Sequence, residues 1–159
     1  MRCNWIGMAV AACVLAAPFA VAQQATVDHW TQAELTAKAQ ALVAKAEASG
    51  GNASTKLTEY PNHFTMIAIR EKSGGAEVHP SFADFFYVVQ GHATLVSGGT
   101  VQNQQVASSG EIKGTAVEGG TRQELNPGDF VHIPAGVPHQ LLLPKGESFT
   151  YFVIKVKEK

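Results

Sequence analysis

From about residue 57 onward the chain is a succession of short β-branched and aromatic runs cut by Gly and Pro, with no helical pattern between them. That texture confines it to an all-β sandwich or barrel. FTMIAIR at 64–70 is a compact apolar run closed by Ser73-Gly74-Gly75, and FFYVV at 85–89 ends at Gln90-Gly91. ATLV, Ser97-Gly98-Gly99 and TV read as a tight hairpin. Asn126-Pro127-Gly128-Asp129 has Pro and Gly where a type II turn prefers them. FVHIP, HQLLL and FTYFVIKV complete the strands. The stretch 92–127, rich in Gly, reads as a pair of exposed hairpins; shaping the mouth of a pocket is the alternative.

Upstream, residues 31–48 are rich in Ala, Leu, Lys, Glu and Gln, all good helix formers. Thr31 and Glu34 fit a capping box, and Gly50-Gly51 supplies a stop. Trp30, Leu35, Leu42 and Val43 are its only large apolar groups, so this helix is expected to pack by a thin stripe, as an arm. Residues 1–22 read as an export signal: Met1-Arg2 is positive, 5–19 is apolar, and Ala20-Val21-Ala22 offers a small-residue cleavage site. The apolar run is short for a membrane span. The expected organisation is therefore a signal at 1–22, a helical arm at 23–56 and a β-barrel domain at 57–159, with the processed chain periplasmic or secreted and no longer held at the membrane. Both cysteines, Cys3 and Cys13, fall inside the signal, so the remainder must be stabilised by a core rather than by disulfides. A net charge of −1 and the absence of any basic run leave no footprint for nucleic acid.

Six histidines stand at 29, 63, 79, 92, 132 and 139. GDFVHIPAGVPH at 128–139 describes a turn, a strand, a sharp Pro/Gly turn and then His139 opening the next strand, which fixes that histidine's direction against a rigid sheet. EVHPSFADFFYVVQG at 77–91 places Glu77 and His79 two apart, on one face of a strand, with Asp84 on the strand that follows. Two histidines with carboxylates are a donor set for a divalent transition metal. His132 is either a wall residue of the barrel or a proton shuttle in its cavity; His92 reads as a solvated turn residue, and His63 and His29 have no supporting pattern. Arg70, at a strand end, reads as an exposed ion-pairing residue, with a carboxylate-holding role at the rim as the alternative. Phe86 and Val88 share the parity of Asp84 and are expected to wall the cavity, while Tyr87 faces the other way.

These two segments resemble the motifs of the cupin superfamily, G-x5-H-x-H-x3,4-E-x6-G and G-x5-P-x-G-x2-H-x3-N. The second is matched by Gly128, Pro134, Gly136 and His139, with Leu143 in place of the Asn. In the first, His79 can stand for either histidine; the second position fits better, with Pro80 following and Gly91 closing the motif. Glu77 then replaces the first histidine, and Asp84 replaces the glutamate with a side chain about 1.5 Å shorter. The resemblance spans roughly 64–157. It implies a double-stranded β-helix (jelly-roll) barrel with a metal held by Glu77, His79, Asp84 and His139. It also implies a homodimer and a small-molecule ligand or substrate. The oxygen-rich set favours Mn or Fe, with Zn, Ni or Cu also within its range. A metal-dependent oxygenase, isomerase or lyase is the leading expectation. A non-catalytic ligand-binding cupin, or a structural barrel with a relic site, is the alternative, because the fold does not set the reaction.

Overall fold

The computed structural model describes residues 27–158; the expected export signal lies outside them. The described chain begins with helices α1 (Gln32–Gln40) and α2 (Val43–Ala48). Thr31 caps α1: its hydroxyl accepts from the Glu34 backbone while Glu34 reaches back to the Thr31 backbone, the expected capping box. Among the described residues, no helix is long and apolar enough to cross a membrane.

Everything after the helices is strand and turn: β1 (Asn52–Glu59), β2 (His63–Arg70), β3 (Ala76–Val78), β4 (Phe82–Gln90), β5 (Ala93–Ser97), β6 (Thr100–Gln102), β7 (Gln105–Val106), β8 (Ile112–Gly114), β9 (Ala116–Glu118), β10 (Thr121–Leu125), β11 (Phe130–Ile133), β12 (His139–Leu142) and β13 (Phe149–Lys157). β1 starts earlier than the texture suggested, because NASTKLTE is too polar to stand out as a strand and is fixed instead by pairing with β2. A five-stranded sheet in the order β1-β2-β13-β4-β11 packs against a six-stranded sheet in the order β10-β5-β12-β3-β8-β7.

Side-chain alternation decides what lies between the sheets. Ala68 of β2, Phe86 and Val88 of β4, and Tyr151 and Val153 of β13 point inward, meeting Leu95, Leu125 and Leu141 of the other sheet in one core. The opposite parity of the same strands points outward, where Ile67 and Val89 are covered by Leu35 and Ala39 of α1. Ala46 of α2 covers Ala53 and Ile69. The arm is therefore an outer layer of the core, with Leu35, Ala39 and Ala46 buried.

Ser97-Gly98-Gly99 does not make the expected hairpin. β5 pairs with β10 and β6 pairs with β9. Ser97 faces Thr121 and Thr100 faces Glu118, so one antiparallel register runs unbroken through both pairs, with Gly98-Gly99 opposite Gly119-Gly120. The glycines bend a single two-stranded ribbon. Contact is too close for a side chain at Gly99, where a Cβ would lie 2.2 Å from the Glu118 carbonyl oxygen.

Candidate metal centre

The register of three strand pairs assembles the site. His139 faces Glu77 across β12 and β3, Glu77 faces Lys113 across β3 and β8, and Asp84 faces Lys155 across β4 and β13. His79 follows β3 and its carbonyl accepts from Gly136 N at 2.9 Å, which ties the first motif to the second. The Pro134–Val137 turn is closed by a Val137 N–H to Pro134 carbonyl bond, with Gly136 at φ +80°, a conformation that suits glycine. These elements surround an inner cavity of about 260 Å³.

His79, Asp84 and His139 are 5, 3 and 4 % exposed, while the Glu77 side chain is 27 % exposed. Each histidine has its Nδ1 turned toward a group other than Glu77 and Asp84. His139 Nδ1 is 3.0 Å from the Val137 carbonyl, and His79 Nδ1 is 2.7 Å from Glu111 Oε1, close but poorly aligned for a hydrogen bond. Both Nε2 atoms are thereby left toward the carboxylates. His79 Nε2 lies 3.7 Å from Glu77 Oε2 and 3.4 Å from Asp84 Oδ2; His139 Nε2 lies 4.0 Å from Asp84 Oδ2. The carboxylates divide their oxygens in the same way. Glu77 Oε1 accepts from Lys113 at 2.9 Å and Asp84 Oδ1 from Lys155 at 2.6 Å, leaving one oxygen of each for the centre.

Donor atoms of Glu77, His79 and His139 all lie within 4.8 Å of one another. A single ion at about 2.1 Å from each donor needs them no more than about 4.2 Å apart, so the group fits one ion after a contraction of a few tenths of an ångström. Asp84 adjoins that group without belonging to it: its Oδ2 is 3.4 Å from His79 Nε2 and 4.0 Å from His139 Nε2, but it is not among the donors that all lie within 4.8 Å of one another.

Charge keeps the donors in their binding forms. Burial pushes the Glu77 carboxyl up, but Lys113 and Arg70 pull it below its ordinary value. For Asp84, burial is likewise outweighed, by the hydrogen bond with His79 and the charge of Lys155. Burial lowers His139, which favours neutral imidazole, the form that binds metal.

Of the other residues picked out in the sequence, Phe86 lines the cavity, whereas Val88 is core beyond it. Arg70 is not an exposed ion-pairing residue: it shares the inward parity of Ala68, lines the cavity and donates from Nε to the Tyr151 hydroxyl at 2.9 Å. His132 is exposed on the outer face, stacked on Phe85 at 4.3 Å. His92 is exposed and contacts Asn126, and His63 stacks on Tyr60. The stretch 92–127 is more than exposed hairpins, because it delivers Glu111 and Lys113 to the cavity. Those two and Lys155 escaped the sequence reading. For Lys155 a signal existed, a lysine on the inward parity of Tyr151 and Val153.

The double sheet, with both motifs meeting at one end of it, settles the architecture. The fold is that of a cupin. It is similar to the DMSP lyase DddQ of Ruegeria pomeroyi, at TM-score 0.51 and 17 % identity over 71 % of this chain. Only 50 % of the length of that lyase is covered. A double-stranded β-helix protein of Klebsiella pneumoniae matches at TM-score 0.51 and 16 % identity, covering 69 % of this chain and 80 % of that one. The cupin domain of Schizosaccharomyces pombe Cnp3 matches at TM-score 0.50 and 9 % identity, covering 67 % of this chain and 64 % of that one. No protein-family model and no curated protein sequence matches this chain. At these identities the likeness carries the cupin architecture, and the chemistry must be argued from the cavity.

Proposed function

We propose that this chain is a small, exported, metal-dependent enzyme of the cupin type, acting on a small organic molecule as an oxygenase, isomerase or lyase. The observation that carries the proposal is the convergence of two histidine Nε2 atoms and the Glu77 carboxylate on one sheltered cavity. Two histidines and a carboxylate with open positions suit a non-haem transition metal. Asp84 is proposed as the fourth ligand, through Oδ2. The oxygen-rich set favours Mn or Fe over Zn, Ni or Cu.

A bound ion would supply Lewis-acid or redox chemistry at a substrate oxygen. The protein's own residues do the rest. Met66, Phe86, Leu141 and Val153 form an apolar wall that limits water. Burial raises the Tyr151 hydroxyl above its ordinary pKa and keeps it protonated as a donor in the cavity. Lys113, partly exposed and bridging Glu77 and Glu111, holds both carboxylates at the rim.

A second reading has its own support. Lys113 and Lys155 already compensate Glu77 and Asp84, as an ion-pair network in a ligand-binding cupin without metal would require. Elemental analysis of protein purified without affinity metals or chelators separates the two. The proposal expects close to one Mn or Fe per chain, lost in the His79→Ala/His139→Ala double variant. Wild-type protein that stays empty when offered Mn, Fe, Zn, Ni or Cu would refute it. The proposal also includes cleavage after Ala22 and a homodimer. An N-terminus at Gln23 by mass spectrometry and a dimer by sedimentation are the expected results.

A further inference from the structure

Among the described residues, the terminal nitrogens of Arg70 have no protein acceptor within hydrogen-bonding distance. Its Nε donates to the Tyr151 hydroxyl at 2.9 Å, the sole hydrogen bond of this guanidinium among the described residues. The nearest carboxylate oxygen in ion-pair range, Glu77 Oε1, is 3.9 Å from Nη2, beyond hydrogen-bonding distance. The side chain is only 14 % exposed. A sheltered guanidinium, oriented by one bond at Nε and carrying free N–H groups on its outer edge, presents a planar fork that fits a carboxylate.

Charge points the same way. Arg70, Lys113 and Lys155 face Glu77, Asp84 and Glu111 around the cavity, three cations against three carboxylates. A divalent ion added to this balanced set leaves two positive charges in excess within a sheltered space, which an anionic ligand would offset. Size narrows the class further: about 260 Å³, part of it walled by Met66, Phe86 and Val153, suits a ligand of a few carbons.

We infer that the cavity takes a short-chain carboxylate bearing a second oxygen donor, its carboxylate seated on the Nη edge of Arg70 and its other oxygen turned toward Glu77, His79 and His139. The second contact rests on the metal reading proposed above; the first does not.

Malonate and its neutral analogue malonamide are suitable probes, titrated calorimetrically into the full chain after its manganese content has been measured. Malonate should bind more than about tenfold tighter than malonamide. Arg70→Met should lose at least about that factor for malonate with manganese content unchanged, and Arg70→Lys should fall between. In case the variants misfold, the Nε–H resonance of Arg70 in wild-type protein should move on adding malonate. Equal binding of the two probes, or an unmoved Arg70 resonance, would overturn the inference. A chain that stays empty when offered Mn, Fe, Zn, Ni or Cu defeats the metal reading, and malonate binding to that metal-free chain then still decides the role of Arg70: dependence on Arg70 supports it, absence of binding overturns it.

Discussion

Asp84 and Lys155 face each other across β4 and β13, 2.6 Å apart and both largely buried. Removing one partner of a sheltered pair leaves the other charge uncompensated, at a cost of about 3–5 kcal/mol. Lys155→Met should therefore destabilise the metal-free protein by about that amount in urea denaturation, and manganese should recover part of the loss. Acid should act in the same direction. His139 is lowered by burial; Glu77, Asp84 and Glu111 are lowered because neighbouring cations and the histidines outweigh burial. For all four the unfolded chain takes up its proton at a higher pH than the folded one. Stability should thus begin to fall below about pH 6.5, as His139 protonates in the unfolded chain, and fall further below about pH 4.5 as the carboxylates follow. Urea midpoints at several pH values test this, and a midpoint that stays level or rises on acidification contradicts it. The grouping of Glu77, His79, Asp84 and His139 around one cavity was readable because the turn glycines and prolines beside them match the spacing of the cupin motifs. Glu111 and Lys113 are common surface residue types that only the pairing register, which a single sequence does not display, brings inward, whereas Lys155 could have been read from its parity with Tyr151 and Val153.

Among the elements, the bent ribbon of β5–β6 and β9–β10 shows where local reading fails. Ser97-Gly98-Gly99 has the chemistry of a hairpin turn, and nothing nearby reveals that its partner is another Gly-Gly pair at 119–120. The turn at 126–129, by contrast, was legible because it is closed within four residues, by Asp129 N–H to the Asn126 carbonyl. The two positions of the first glycine pair should respond differently to alanine. Gly98 has φ +73° and open space where a methyl would stand, so Gly98→Ala should cost only the left-handed backbone penalty, about 1–2 kcal/mol. Gly99→Ala adds a collision with the Glu118 carbonyl and should cost about 1–3 kcal/mol more. Equal urea midpoints for the two variants would mean that the ribbon is not closely apposed at its bend. The helical arm was legible in position but not in weight. Leu35 is buried against Ile67 and Val89, so Leu35→Ala should cost about 2–4 kcal/mol in the same measurement.

At the scale of the whole molecule, the candidate centre spans the two sheets. Glu77, His79 and His139 belong to the six-stranded sheet or its margin, Asp84 to the five-stranded one. An ion that binds only the folded protein stabilises it by about 4 kcal/mol at a thousandfold excess over Kd. Saturating manganese should therefore raise the thermal midpoint by several degrees, and Asp84→Ala should lose part of the gain if Oδ2 reaches the ion. An unchanged midpoint in wild-type protein would count against the centre. The general architecture was legible from the punctuation of the strands, but the division into sheets was not, because most neighbours in them are distant in sequence.

The position of β13 in its sheet carries a consequence for how the molecule is made. It is the last strand of the described chain, yet it lies between β2 and β4. During synthesis the long edges of both neighbours stay open until residues 149–157 emerge, whatever has already formed upstream. Open edges of that length are templates for association with other chains. A nascent chain stalled before Phe149 would therefore remain unfinished and adhesive, with the partner of Asp84 still to arrive, and closure of this sheet becomes a nearly all-or-none event timed by the emergence of β13.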